Sequence, residues 1–325
     1  MIEWLESALH LTVQMGTVYL LASLGEIYAE RSGILNLGLE GMMIMGAALS
    51  FIFTLAYGHL AAIIASIAAG VLMSLILAVM AIRMRLNQVV TGLALTMLGL
   101  GLSGFLASPE IRRGILLTLN PNIPENLLGI QQAPTLPEYP IPILSEIPLV
   151  GEAFFHHNPL VYASYAAAPL MWYILFKTRL GLSLRSVGED PAAADSLGVN
   201  VFLVRYLATM ISGGFAGLAG AYLFLGFQPF WNEGMTAGKG FIALSLVILS
   251  TWNPLRAILG AYLFGGIETL QFRLQLMGWK AQSPYFLAML PYLVAIITLT
   301  LISLENVRKR IGVPASLGVP YSREE

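Results

Sequence analysis

Of 325 residues, 17 are Lys or Arg and 18 are Asp or Glu, so only 11% of the chain is charged and its net charge is −1. A soluble domain carries roughly 25% charged residues. Here 57% apolar residues and a mean hydropathy of +0.76 leave more apolar surface than so few charges can screen from water. That excludes a soluble enzyme, a disordered segment and a nucleic-acid binder, which needs a basic excess, and predicts an all-α polytopic membrane protein. Cysteine is absent, which removes disulfides, thiolate metal sites and cysteine nucleophiles together.

Met1–Leu9 carries Glu3 and Glu6 and no basic residue, unlike the start of a cleavable signal peptide. A helix crossing the ~30 Å hydrocarbon core needs about 20 mainly apolar residues. About nine such runs (eight to ten) are expected: Leu9–Leu24, Ile34–Tyr57, Leu60–Ile82, Gln88–Ala107, Leu160–Phe176, Tyr206–Phe227, Gly240–Trp252, Pro254–Leu276 and Tyr285–Leu304. The first and seventh are short, which makes each a candidate half-helix or re-entrant segment. One alternating set of connections holds twelve basic residues: Arg31, Arg83, Arg85, Lys177, Arg179, Arg185, Arg205, Arg256, Arg308, Lys309, Arg310 and Arg323. The other holds five: Arg112, Arg113, Lys239, Arg273 and Lys280. This asymmetry puts the first set, and the C-terminus, on the cytoplasmic side.

The chain reads as one transmembrane domain over 1–325 with two long connections. The outer one, 108–159, holds nine of the 17 prolines around an apolar middle, Ile141–Phe155. It reads either as a loop on the outer membrane surface or as a docking platform for an external partner. The inner one, 177–205, is polar and basic. In it Asp190 suits an N-cap and Pro191 a first helical turn, Ala192–Ala194 favour helix, and Gly198 suits a left-handed stop. A helix this short is marginal alone in water, so something must pack against it.

Several patterns fail on context. Gly99-Leu-Gly101-Leu-Ser-Gly104 spells a dinucleotide fingerprint but sits inside an apolar run, where close helix packing explains it. Gly234-Met-Thr-Ala-Gly238-Lys239-Gly240 is one residue short of a phosphate-binding loop and lacks its Ser or Thr. His10, His59, His156 and His157 read as interfacial residues, and no metal or cofactor site is expected. Gly213, Gly217 and Gly220, and likewise Gly260, Gly265 and Gly266, suit close and mobile helix contacts. Polar residues at membrane depth are costly and mark candidate pathways. Asn36 and Glu40 lie four apart, Glu268 and Gln271 three apart, each pair suited to one helix face. Each pair fits a polar cavity or a buried hydrogen-bond network. Glu26, Glu30 and Arg31 come just before the second run.

Gly25–Gly41, GEIYAERSGILNLGLEG, resembles the opening signature of permease subunits from bacterial ABC importers for nucleosides and simple sugars, within the ribose and branched-chain amino acid permease superfamily. Val187–Gly198, VGEDPAAADSLG, is similar to that family's coupling segment, matching at Gly188, Glu189, Pro191, Ala193, Ala194 and Gly198. A third stretch, from Gly238 through Trp252-Asn-Pro-Leu to Gly260, is also similar. The resemblance is closest to the shorter permease of importers with a binding protein of the basic-membrane-protein type. It implies a transport subunit of the inner membrane, without cofactor, whose ATP is hydrolysed by a separate cytoplasmic subunit. It further implies a second, larger permease, a periplasmic or lipid-anchored binding protein, and a small polar solute. An ion-coupled secondary transporter, with Glu40 and Glu268 as coupling groups, is the rival class; a membrane-embedded enzyme would need an acid, base or metal constellation that is not visible.

Overall fold

The structure is a computed structural model that describes residues 2–276, 289–303 and 312–323. The expected apolar runs fall on helices, two of them with the expected ends, Gln88–Ala107 and Pro254–Leu276; the ends of the ninth, Tyr285 and Leu304, lie outside the described residues. The first helix, α1, runs Ile2–Arg31, far beyond the Leu9–Leu24 expected. Its acidic ends lowered the apolar signal, yet Glu26 and Glu30 lie inside it and are buried. Then come α2 (Leu39–Tyr57), α3 (His59–Ala78, closing in a wide turn to Arg83) and α4 (Gln88–Ala107). Six helices among the described residues are long and apolar enough to cross a membrane: these four, with α8 (Pro159–Lys177) and α11 (Val201–Tyr222, continued to Phe227). The seventh run is the short one, α12 (Lys239–Leu249), followed by α13 (Pro254–Leu276) and α14 (Leu290–Ser303). Lys280, Arg308, Lys309 and Arg310 lie outside the described residues.

Position in the bundle follows side-chain size. α1 packs against α8, α11, α12 and α13, while α2 is wrapped by α3, α4 and α11. Small residues let these inner backbones meet. A Cβ on Gly46 would strike the Gly217 backbone, one on Gly70 the Gly213 carbonyl, and one on Gly220 the Met43 carbonyl. Of the apparent dinucleotide fingerprint only Gly99 is tightly packed, against Gly41; Gly101 and Gly104 have nothing within 4 Å. The outer helices α3, α4 and α8 turn Leu60, Leu72, Val90, Met97 and Leu170 outward, the surface a hydrocarbon solvent favours.

The connection 108–159 is not a plain loop. It contains α5 (Pro109–Leu119), α6 (Glu125–Leu128), α7 (Gly151–Phe155) and a two-stranded antiparallel pair, β1 (Tyr139–Pro140) with β2 (His156–His157). Arg112 is buried with its guanidinium 4.7 Å from the Phe51 ring. Three of the four histidines read as interfacial gather here: the His10 and His157 rings stack at 4.3 Å, and Glu138 lies 3.8 Å from His10 and 4.0 Å from His156. Among the described residues, no group of three or more His, Asp or Glu side chains is arranged to hold a metal ion.

Candidate functional site

The connection 177–205 folds as its local signals predict. α9 (Arg179–Glu189) leads into α10 (Pro191–Ser196), where Asp190 Oδ1 accepts the Ala193 N–H at 2.9 Å. Gly198, at φ +85°, ends it in the left-handed region. The packing this short helix needs comes from its own chain: Ala194 is buried with Val187 and Val201, and Tyr321 lies against them. Gly188 is glycine because a Cβ there would strike the Arg31 carbonyl. Glu189, Ala193, Leu197 and Gly198 remain exposed, Leu197 at 83%.

A C-terminal strap holds this segment in place. Ser316 donates its N–H to the Gly188 carbonyl at 2.9 Å, and Gly318 donates to Gly33 at 3.0 Å. Arg205, read in sequence as a connection residue, is buried in α11 and donates to Ser32 O, Val319 O and Ser316 Oγ. Arg323 clasps Asp195 through Nε and Nη2, both at 2.6 Å, and Tyr321 adds a bond at 3.0 Å. The Arg323 hydrogen bonds hold the Asp195 carboxyl below its usual range.

Behind this segment, the end of α1 carries a buried polar network. Glu30 accepts the Trp252 indole N–H at 2.6 Å. Arg31 reaches the Thr251 and Trp252 carbonyls at 3.3 and 3.4 Å. Thr251 and Trp252 both sit at φ +53°, a left-handed turn that side-chain-bearing residues keep only when surrounding contacts enforce it. Four residues earlier, Glu26 accepts the Ser212 hydroxyl at 2.6 Å and the Asn36 N–H at 3.1 Å. Asn36 Nδ2 donates to Ser212 at 2.9 Å. Asn36 lies in the turn before α2, so the four-residue spacing to Glu40 does not put the two on one helical face.

Glu40, in the first turn of α2, seals the N-terminus of α12. Its Oε1 accepts from Thr236 Oγ1 at 2.5 Å and Gly238 N at 2.8 Å, and its Oε2 from Gly240 N at 2.6 Å. The N-terminal amides and dipole of a helix favour such an anion. Gly240 is needed for the approach, since a Cβ there would lie 2.6 Å from the Glu40 backbone.

Beside this junction lies a cavity of about 190 Å³ lined by Tyr19, Lys239, Ile242, Glu268, Gln271 and Tyr292, with Ala237 and Pro291. Lys239 Nζ is 2.7 Å from Glu268 Oε1, and the Tyr19 hydroxyl donates to Glu268 Oε2 at 2.7 Å. Both ions are buried, Lys239 at 8% and Glu268 at 6% exposure. Lys239 therefore belongs to the buried head of α12 and not to an outer connection. Of the sequence candidates, Glu268 and Gln271 line this cavity together. Asn36 and Glu40 do not line it; they brace elements around it. Lys239 and Tyr19 were missed as site residues, because each pairs with Glu268 from a distant part of the chain.

Six described helices long and apolar enough to cross a membrane, with a buried ion pair beside a cavity among them, define the class as a multi-pass membrane protein. A family model described as branched-chain amino acid transport system / permease component matches residues 9–302. The chain belongs to this family of ABC transporter permeases: it is an importer's membrane subunit, without an ATPase site of its own, and the family implies ATPase and substrate-binding partners. It is 39% identical to a putative glucose ABC transporter permease of Haloferax volcanii, over 97% of both chains. It is 36% identical to a guanosine ABC transporter permease of Bacillus subtilis, over 93% of this chain and 92% of the relative. A second guanosine ABC transporter permease of that bacterium is 28% identical over 79% of this chain and 71% of its own. No solved structure matches the chain.

Proposed function

We propose that the chain forms one half of the translocation pathway of an importer in the bacterial cytoplasmic membrane, moving a nucleoside or a related small polar solute inward. The observation that carries this reading is the exposed edge of α10, held out by α9 and fastened from behind by the C-terminal strap. Gly188, Glu189, Pro191, Ala193, Ala194 and Gly198 are assigned to the contact with the ATPase. Glu189 and Ala193 face solvent, as a docking edge requires, while Gly188 and Ala194 fit the segment tightly to the transmembrane helices. Basic residues in the inner connections support a cytoplasmic C-terminus, and the strap bonds that end to the same segment.

Asn36, Glu40, Glu268 and Gln271 are assigned to the pathway: the last two line its cavity, the first two brace its wall. In this scheme about nine helical segments cross or enter the membrane. The proline-rich connection 108–159 receives a periplasmic or lipid-anchored binding protein. A second, larger permease completes the pore, a reading supported by the two guanosine permeases of B. subtilis. A simple sugar is the second reading of the solute, favoured by the Haloferax relative's name.

The test uses the complete importer in proteoliposomes with Ala193→Trp or Glu189→Trp. ATP hydrolysis should continue while uptake falls about tenfold or more, the effect of losing ~1.4 kcal/mol of docking, with membrane insertion unchanged. Normal uptake in both variants removes the coupling assignment.

A further inference from the structure

We propose that the Lys239–Glu268 pair is a recognition subsite for vicinal hydroxyl groups, so that the permease itself reads the sugar ring of its solute. This rests on assigning the cavity to the translocation pathway.

The pair spans two helices at 2.7 Å, and Tyr19 holds the second carboxylate oxygen at 2.7 Å. Burying two charges at membrane depth is costly, and apolar residues of the same volume scaffold a helix contact as well or better. This pair also opens onto a void: both side chains, with those of Tyr19, Gln271 and Tyr292, line the cavity of about 190 Å³. Among the described residues the Lys239 ammonium, which has three N–H donors, makes one ion pair. A ligand can therefore add to the pair or part it.

The chemistry of that ligand follows from what each ion needs once the contact is broken. A hydroxyl both donates and accepts, so one hydroxyl of a vicinal pair accepts from the ammonium while its neighbour donates to the carboxylate. Each ion then keeps a hydrogen bond, and no buried charge is orphaned. A solute without the second hydroxyl must bridge both ions through a single oxygen or leave the ammonium without an acceptor, since the carboxylate keeps the Tyr19 bond, and an orphaned buried charge carries the full desolvation penalty. A solute with a net charge neutralises one ion and strands the other. The cavity thus favours a neutral ring with adjacent hydroxyls along one edge, and the aromatic side chains of Tyr19 and Tyr292 offer surface to its less polar faces. Its volume is below the roughly 300 Å³ at which pockets begin to enclose drug-sized ligands. It accommodates one ring at a time, the sugar and not a whole nucleoside.

The test is ATP-driven uptake by the complete reconstituted importer, normalised to assembled complex. Guanosine is compared with 2′,3′-dideoxyguanosine, and D-glucose with 2,3-dideoxyglucose. The same binding protein serves every variant, so a change in the ratio of parent to analogue belongs to the permease. Lys239→Met and Glu268→Gln should each lower the wild-type ratio at least about tenfold. Lys239→Arg, which keeps the cation, should retain most of it. A parallel fall of parent and analogue with an unchanged ratio overturns the subsite and leaves the pair a scaffold on the pathway. Unaltered uptake of both removes the cavity from the pathway, and the subsite with it. Uptake of neither parent by the wild-type importer contradicts the proposed solute class and the subsite together.

Discussion

Replacing Glu40 tests how the short helix α12 is held inside the bundle. The carboxylate satisfies three donors, at 2.5, 2.8 and 2.6 Å, two of them backbone N–H groups around the start of the helix. A hydrogen bond to a charged group nets about 1.5–3 kcal/mol, and a buried donor left without its acceptor costs about 1–3 kcal/mol. These are two views of one loss and are not summed. The Thr236 hydroxyl can rotate toward another acceptor, so the two backbone donors dominate. Glu40→Ala should therefore destabilise the folded permease by about 3–5 kcal/mol. Glu40→Gln keeps one carbonyl oxygen but turns an NH₂ toward an N–H, and should cost about half as much. The assay is unfolding of the purified importer in mixed micelles, with ATP-driven uptake followed in parallel. Stability in the order wild type, Gln, Ala is expected, with uptake falling in the same order. Three indistinguishable unfolding curves would show instead that the α12 amides find acceptors elsewhere at no cost.

Gly70→Ala should separate α3 from α11, since its Cβ would strike the Gly213 carbonyl, and cost about 1–3 kcal/mol. Gly101→Ala, with nothing within 4 Å, should be neutral or stabilising by about 0.5–1 kcal/mol; thermal unfolding of the two variants decides. His157, outside the membrane-spanning helices, is pushed down to about 4 by burial, against an ordinary value of 6.5. The unfolded loop then binds more protons than the folded one between those values, so the stabilisation is complete above pH 6.5 and declines as pH falls toward 4. Hydrogen exchange over residues 139–157 should quicken across that window, and His157→Gln should remove the dependence. Arg323→Ala should release the strap from Asp195, raise the Asp195 carboxyl toward its ordinary range and speed proteolysis of the tail. Unchanged cleavage kinetics would show that the backbone bonds of Ser316 and Gly318 suffice.

The parts of the molecule legible in sequence were those specified locally. Asp190, Pro191, the alanines and Gly198 lie within nine positions, and they form the capped helix they signal. The apolar runs likewise report helices, because hydrocarbon allows the backbone few alternatives. What stayed hidden was specified by partners far away. Glu26 and Glu30 read as residues beyond the first span, because their partners Ser212 and Trp252 stand 186 and 222 positions distant. Lys239 read as a loop residue in a glycine-rich run. Gly238 at φ +79° turns the chain into α12, and Gly240 admits Glu40. Glu268 was visible as a costly charge, while its counter-ion was not. Hydropathy marked the seventh run as short, and it is an 11-residue helix, but the glutamate of another helix that satisfies its polar end was not visible.

ATP hydrolysis by a separate subunit should drive solute through this chain. The most direct measurement is uptake into proteoliposomes holding the complete importer, with the hydrolytic glutamate of the ATPase replaced or the proton and sodium gradients collapsed by ionophores. Uptake should stop in the first case and persist in the second. Uptake that survives loss of hydrolysis and collapses with the ion gradients would make the chain an ion-coupled transporter instead.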